Sequence, residues 1–272
     1  MAPPPSRKPS LVSGDGAQSA DTSSRPSRHA CTELNSDFPW DDFDSSWYYD
    51  HNYKVLREDD RQIVQVVRDF FATLDLSSHR RGIDVGSGTN LYPALAMLPF
   101  CEEITLYEYS ASNVSWLRRE IKSYSPSWDS FWDLLAKEPL YESVGSPREM
   151  LAAKASVKKG SIFNLPESRW DIGTMFFTAE SLSSVPSEFQ TALDSFIGSL
   201  RSDAPFAAAF MESSLGYSVG TRRFPAVAIT ENEVRNFLSD RTKDLKIYRI
   251  GLTNNPLRAG YGGMILATGK VV

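Results

Sequence analysis

The sequence predicts an α/β fold: a seven-stranded, mostly parallel sheet with one antiparallel edge strand and helices on both faces. Three observations carry this. Strand-like apolar runs alternate with segments of helical periodicity along most of the chain, and such alternation builds one parallel sheet through right-handed crossovers. The run Gly82-Ile83-Asp84-Val85 enters a two-glycine turn, Gly86-Ser87-Gly88, and a helical pattern follows from about Asn90. The last two strand-like runs, Leu245–Ile250 and Tyr261–Thr268, are joined by a polar connection that suits antiparallel pairing at the sheet edge.

With 272 residues, 41% of them hydrophobic, the chain can hold one such domain of substantial core plus extensions. Residues 1–36 are rich in Pro, Ser, Arg and Ala and almost free of large apolar side chains, so they read as a disordered tail ahead of a domain at 37–272. A net charge of -5 without a basic run advertises no surface for nucleic acid. No apolar run is long enough to span a bilayer and no secretion signal opens the chain, which predicts a soluble, cytoplasmic protein without a membrane partner, monomeric or homodimeric. Cys31 and Cys101 form neither a disulfide framework nor a metal set, so no metal is expected.

In chain order, Phe38, Trp40, Phe43, Trp47, Tyr48, Tyr49 and Tyr53 crowd rings into sixteen residues. They read as a cap on the core or, over 37–56, as a lid that points phenols into a site. Arg57–Leu74 places Ile63, Val66, Val67, Phe70, Phe71 and Leu74 at helical spacing. After the glycine turn, Leu91, Leu95 and Leu98 mark a helix, Glu103–Glu108 a strand and Ala111–Lys122 a second helix. Residues 125–158 interrupt the alternation as a helical insertion, in which Ser146-Pro147-Arg148-Glu149 is a capping box with proline at the first helical position. Val157–Phe163 lies beside the sheet, Trp170–Phe177 is a buried strand, Pro186–Leu200 a helix and Phe206–Met211 a fifth strand. Thr230-Glu231-Asn232-Glu233 caps one more helix ahead of the two final strands.

The two-glycine turn with an acid at the end of the next strand is a nucleotide-type cradle. A Cβ at the turn would hold the backbone away from a ligand, and such turns often require positive φ. Glu108 stands where dinucleotide folds place a carboxylate on a ribose diol. The third glycine of the dinucleotide fingerprint is replaced by Thr89-Asn90-Leu91, which counts against NAD.

Three motifs over residues 43–268 resemble the S-adenosylmethionine (SAM)-dependent methyltransferases of the nicotinamide, phenylethanolamine and indolethylamine N-methyltransferase group. They are Phe43-Asp44-x-x-x-Tyr48-x-x-x-Asn52-Tyr53; Ile83-Asp84-Val85-Gly86-Ser87-Gly88 with Tyr92 behind it and Glu108-Tyr109-Ser110-x-x-Asn113 after it; and Tyr217-x-Val219-Gly220-x-x-x-Phe224-Pro225. The resemblance implies a Rossmann-like class I methyltransferase fold with an N-terminal lid. It implies that Tyr48 and Tyr53 hold the methionine carboxylate of SAM, Glu108 and Asn113 the ribose, and Tyr109 the adenine. Asp84, Gly86, Ser87, Gly88, Tyr92 and Thr178 complete the expected cofactor set. Where the family has an aspartate near the adenine amino group, this chain reads Gly160-Ser161-Ile162, so Ser161 and Ile162 are expected there with a hydroxyl or backbone contact instead.

Tyr217 and Phe224 are the expected acceptor-binding residues. Glu180 falls at an amine-binding glutamate of the phenylethanolamine branch and Glu212 near an acidic position of the nicotinamide branch; either carboxylate would orient an amine and stabilise its growing positive charge. His51, between the lid tyrosines, is a candidate proton acceptor. The reading is therefore an enzyme that transfers the methyl of SAM to a small molecule, releasing S-adenosylhomocysteine (SAH). Its acceptor is the nitrogen of an amine or aromatic heterocycle, with oxygen or carbon of an indole-like or phenolic metabolite as the alternative. A non-catalytic SAM-binding protein is the alternative from another class.

Overall fold

The computed structural model describes residues 33–74, 80–251 and 261–272. The expected disordered tail therefore lies, over residues 1–32, outside the described residues, as does most of the connection between the last two strands. At its first described residues the chain is already bound. Glu33 N–H donates to Ser184 Oγ (3.0 Å) and Asn35 N–H to Glu188 Oε2 (2.9 Å). The packed chain thus reaches back past Phe38, because backbone polar groups find partners there that composition does not register.

Asp44 caps helix α1 (Ser45–Asn52), its Oδ1 accepting from Trp47 N–H at 2.9 Å. Helix α2 (Glu58–Phe71) opens on Glu58, Asp59 and Asp60, charges that suit a helix N-terminus, and buries Ile63, Val64, Val67 and Phe71. Strand β1 (Arg80–Val85), helix α3 (Tyr92–Met97), strand β2 (Cys101–Glu108) and helix α4 (Ala111–Glu120) follow. The insertion forms α5 (Asp129–Leu135), α6 (Pro139–Glu142) and α7 (Pro147–Lys154). Ser146 Oγ accepts from Glu149 N–H at 3.4 Å, as its motif predicts. Helix α7 runs directly into strand β3 (Ala155–Lys159), so the last residues assigned to the insertion belong to the sheet. Then come β4 (Ile172–Phe176), α8 (Pro186–Ser199), β5 (Pro205–Glu212), the short ribbon β6 (Tyr217–Val219) and β7 (Arg222–Phe224), α9 (Glu231–Ser239), β8 (Thr242–Ile250) and β9 (Gly263–Val271). The Thr230 capping box of α9 is complete, with Glu233 N–H to Thr230 Oγ1 at 3.4 Å and Thr230 N–H to Glu233 Oε2 at 2.8 Å.

The sheet runs β3-β2-β1-β4-β5-β9-β8. β1 to β5 pair in parallel, and at the far edge the reversed strand β9 is inserted between β5 and the outermost β8. Period-two alternation buries both faces. Phe206, Ala208 and Phe210 of β5 join one core with α8 and α9, while Ala207, Ala209 and Met211 join the other with α2, α3 and α5. From β1 the chain winds outward to β3, then returns to β4 on the opposite side. The switch point between β1 and β4 is where an open α/β sheet leaves a crevice at its carboxyl ends. Cys101 is core: burial pushes its thiol up to about 12. No helix among the described residues is long and apolar enough to cross a membrane.

The insertion is anchored to the domain by Tyr141, fully buried, whose hydroxyl donates to Ala96 O at 2.8 Å. Tyr141→Phe leaves that carbonyl without its partner in the core. It is expected to cost about 1–3 kcal/mol of stability, measured by urea denaturation; a loss within error would show the insertion to be held by packing alone.

Candidate active site

The carboxyl end of β1 turns on two glycines in left-handed backbone, Gly86 at φ 66° and Gly88 at φ 55°. At Gly86 a Cβ would sit 2.2 Å from Thr178 Cγ2, so the loop closes against the end of β4 only without a side chain there. Gly86 N–H donates to Tyr107 O (2.7 Å). Gly88 N–H donates to Glu108 Oε2 and Ser110 N–H to Glu108 Oε1, both at 2.8 Å. One buried carboxylate thus ties the loop after β1 to the start of α4. Burial pushes the Glu108 pKa up, and the N–H groups of Ser110 and Gly88 and the Asn113 side chain pull it back.

Beneath the loop, Asp84 is buried and its Oδ1 accepts from Thr174 Oγ1 at 2.7 Å. Desolvation first, with the Glu108 charge adding, pushes its carboxyl up to about 7. Behind the loop, Tyr92 donates its hydroxyl to Asp60 Oδ1 at 3.1 Å. Asp60 is itself pushed up to about 7, by burial and then by neighbouring Asp59.

The N-terminal segment crosses the mouth of this crevice. Asp41 Oδ1 accepts from Ala111 N–H (2.7 Å) and pairs with Lys159 (3.2 Å), and Asp42 pairs with Arg222 (2.9 Å). The Ala111 N–H, then Lys159, hold the Asp41 carboxyl below its ordinary value. Such exposed pairs contribute about 0–1 kcal/mol each, so they set register more than stability. The buried link is Ser45 Oγ to Asn113 Oδ1 at 2.7 Å, which joins the first residue of α1 to the helix behind Glu108. Rings divide the lid's work: Tyr49 bonds Ser127 and packs on Trp116 and Trp128, while Tyr48 lies edge-on to Tyr53 and to Tyr217.

These elements bound a crevice with about 810 Å³ of space between its atoms, open solvent included. Tyr48, Tyr53, Gly86, Ser87, Gly88, Glu108, Tyr109, Asn113, Ser161, Ile162, Thr178 and Tyr217 all line it. Asp84, Tyr92, Phe224, His51, Glu180 and Glu212 do not. Asp84 and Tyr92 sit behind the loop and position it. Phe224 is buried under Tyr217, their rings stacked at 5.5 Å. His51 is exposed and stacked on Trp47 at 4.8 Å, because four residues on a helix bring those two side chains onto one face. Glu180 is fully buried and turns Oε1 to Met211 N–H (2.9 Å), satisfying a donor of β5. Glu212 Oε2 accepts from Arg249 Nε (2.8 Å), a pairing with the outermost strand β8. The three side chains expected to do proton or charge work at the acceptor do not line the cavity.

The wall also contains residues outside the expected site set: Asn35, Asn90, Phe177 and Ser181, with Trp40 and Phe43, which the sequence places in the lid without a contact of their own. Asn90 follows the glycines directly and its position alone could have flagged it. Phe177 has φ 57°, a strained conformation for an aromatic residue costing about 1–2 kcal/mol. It is held there by its N–H to Ala209 O at 2.7 Å.

The lining fits SAM. Glu108 offers a carboxylate to a diol, Tyr109 and Ile162 offer apolar faces to a base, and Asn90 Nδ2 is a buried donor with no acceptor among the described residues. Thr89 Oγ1, next to it in the chain, is likewise buried without a partner among the described residues.

Residues 32–261 match the model of the NNMT/PNMT/TEMT family. No curated protein sequence matches the chain. Among solved structures, a SAM-dependent methyltransferase from Clostridium acetobutylicum aligns with a TM-score of 0.52 at 11% identity, over 83% of this chain and 96% of that one. One from Methanosarcina mazei gives 0.51 at 12% identity, over 75% and 97%. The DhpI-SAM-HEP complex gives 0.50 at 12% identity, over 83% and 92%. These likenesses show a shared fold.

The Asp84 carboxyl makes a pH prediction. Its folded pKa, about 7, lies above the ordinary 3.8, so the folded state holds the proton more tightly than the unfolded chain. The stability this contributes is full below about pH 4 and is lost as pH rises through about 7. Asp84→Asn keeps an acceptor for Thr174 and removes the titration. Relative to the parent, the variant should gain of order 1 kcal/mol per pH unit between pH 4 and 7, read from urea midpoints; parallel pH profiles would mean that Asp84 titrates normally.

Proposed function

From the premise that this chain belongs to the NNMT/PNMT/TEMT family and is a SAM-dependent methyltransferase, we propose that it methylates the nitrogen of a small amine or aromatic heterocycle. The observation that carries the reading is a single cavity whose wall joins the glycine loop and Glu108 to the lid phenols and Tyr217. When bound, SAM supplies a methyl group on a positively charged sulfur, open to displacement by an acceptor lone pair from the opposite side.

The chain's own groups would hold and orient the reactants. The Glu108 carboxylate has about four lone-pair sites, of which Gly88 and Ser110 N–H use two; the others suit the two ribose hydroxyls. Asn113 adds a ribose contact. Tyr109, half in solvent, and Ile162 would flank the adenine, with the Ser161 hydroxyl at its edge. Tyr48 and Tyr53 hydroxyls and the Asn90 amide would take the methionine carboxylate. The same two tyrosines with Tyr217 would present ring faces and edges to a flat acceptor and keep water from it. Orientation and desolvation can supply about 7–11 kcal/mol of barrier lowering, against the 10²- to 10⁴-fold typical of a general base. Positioning would be the main device, with Glu180, Glu212 and His51 absent from the cavity lining.

Glu108→Ala is expected to weaken SAH binding by about 30- to 100-fold, the equivalent of about 2–3 kcal/mol for charge-assisted bonds, measured calorimetrically; unchanged affinity would remove Glu108 from the ribose role. Tyr53→Phe should raise the SAM constant several-fold at unchanged melting temperature, and a change in melting temperature alone would make the residue structural. Incubation with methyl-labelled SAM and a panel of amines, nitrogen heterocycles, indoles and phenols tests transfer. Labelling confined to oxygen or carbon acceptors would overturn the nitrogen assignment.

A further inference from the structure

The amino ends of the parallel strands, on the far side of the sheet from the glycine loop, hold a second crevice. Arg80 opens β1, Asp171 precedes β4, Arg201, Ser202 and Asp203 lead into β5, and Lys270 lies near the end of β9; all six line it. It shares no lining residue with the donor cavity. The 6 residues of β1 separate the two, a span of roughly 20 Å.

The ion pairs of this crevice are uneven. Asp171 Oδ2 accepts from Arg81 N–H and its Oδ1 from Arg201 Nη1, both at 2.9 Å, and Asp203 pairs with Lys243. Arg80 and Lys270 are left without a carboxylate partner among the described residues. Five cations thus share two carboxylates, in a chain whose net charge is -5. They come from separate stretches of the sequence, so no basic run announces them.

Two further observations set these cations apart from a solvated surface. Arg80 Nη1 is buried with no hydrogen-bond partner among the described residues, and a desolvated guanidinium N–H without an acceptor is costly. Lys270 stands directly opposite Lys243 in the β8–β9 ladder, where like charges repel. An anion in the crevice would lower both costs.

The donor types select the anion. A guanidinium fork beside an ammonium matches an oxyanion with several acceptor oxygens, and the surplus of positive charge suits two negative charges better than one. Asp171 and Asp203 on the same wall interrupt any track long enough for a nucleic-acid backbone. A single phosphate group is the fit.

We propose that Arg80 and Lys270, backed by Lys243 across the ladder, form a second binding site that takes one phosphate dianion, free or as a monoester. Ser202 adds a hydroxyl to its rim. The site stands apart from the methyl-transfer reading and does not rest on it.

The test is calorimetric titration of the full-length, SAH-saturated protein in Tris at pH 8, where phosphate and its monoesters are dianions. The titrants are inorganic phosphate, ribose 5-phosphate and, at equal ionic strength, potassium chloride. At least one of the two phosphates is expected to bind at one site per chain with a Kd at or below about 1 mM, chloride giving no saturable heat, and the tighter of the two shows whether the site takes the free or the esterified group. Arg80→Met and Lys270→Met should each weaken that binding about five-fold or more while leaving SAH affinity within two-fold; if Arg80→Met does not fold, Lys243→Met takes its place with the same expectation. No saturable phosphate binding, binding only when SAH is left out, or a smaller loss in either variant overturns the proposal. A parent protein that does not bind SAH sinks the donor reading, and the same phosphate titrations still decide this one.

Discussion

The arrangement depends on one buried carboxylate. Glu108 receives N–H bonds from Gly88 and Ser110, both 2.8 Å, and so locks the loop after β1 to the turn after β2. Those are the two strand ends that frame the crevice at the switch point. An uncompensated carboxylate at 6% exposure would be costly; two backbone donors and Asn113 make it tolerable. Asn113 then passes the constraint outward, since Ser45 donates to it from the first residue of the lid helix. Loop, strand end and lid therefore share one anchor, and a ribose diol would join a network that is already oriented.

Around that anchor the other buried acids are kept from competing. Asp84 and Asp60 both have carboxyls pushed up to about 7 by burial. Asp84 Oδ1 accepts from the Thr174 hydroxyl and Asp60 Oδ1 from that of Tyr92. Burial works against charge at both positions, with the Glu108 carboxylate adding at Asp84 and Asp59 at Asp60. Glu180 and Glu212 follow the same economy in a different way, one satisfying a β5 backbone donor and the other pairing with Arg249. The cavity wall that remains is rich in rings and hydroxyls beside the Glu108 carboxylate.

Much of this was legible beforehand. The strand–helix alternation, the two glycines, the acid one strand later and the Thr230 capping box rest on short-range rules, and each reappears where its pattern puts it. Tyr48 and Tyr53 come together with Glu108 because their spacing carries one across α1 and the other just past its end. The acceptor side was far less legible. Asn35 sits in polar, low-complexity surroundings that resemble a tail, and its importance comes from contacts with Glu188, 153 positions away. Glu180 looks like a free acid after a strand until the neighbouring strand presents Met211 N–H to it.

Local chemistry thus dictated the elements, the backbone turn that makes the cradle and the carboxylate that faces it, since helical and strand periods, positive-φ glycine and caps act over a few residues. Which acids reach the cavity, which are consumed as hydrogen-bond partners and where the first described turn is tied down follow from long-range packing. The reason is physical: desolvation and hydrogen-bond satisfaction are set by neighbours far away in the chain, and a side chain's identity carries no information about who those neighbours are.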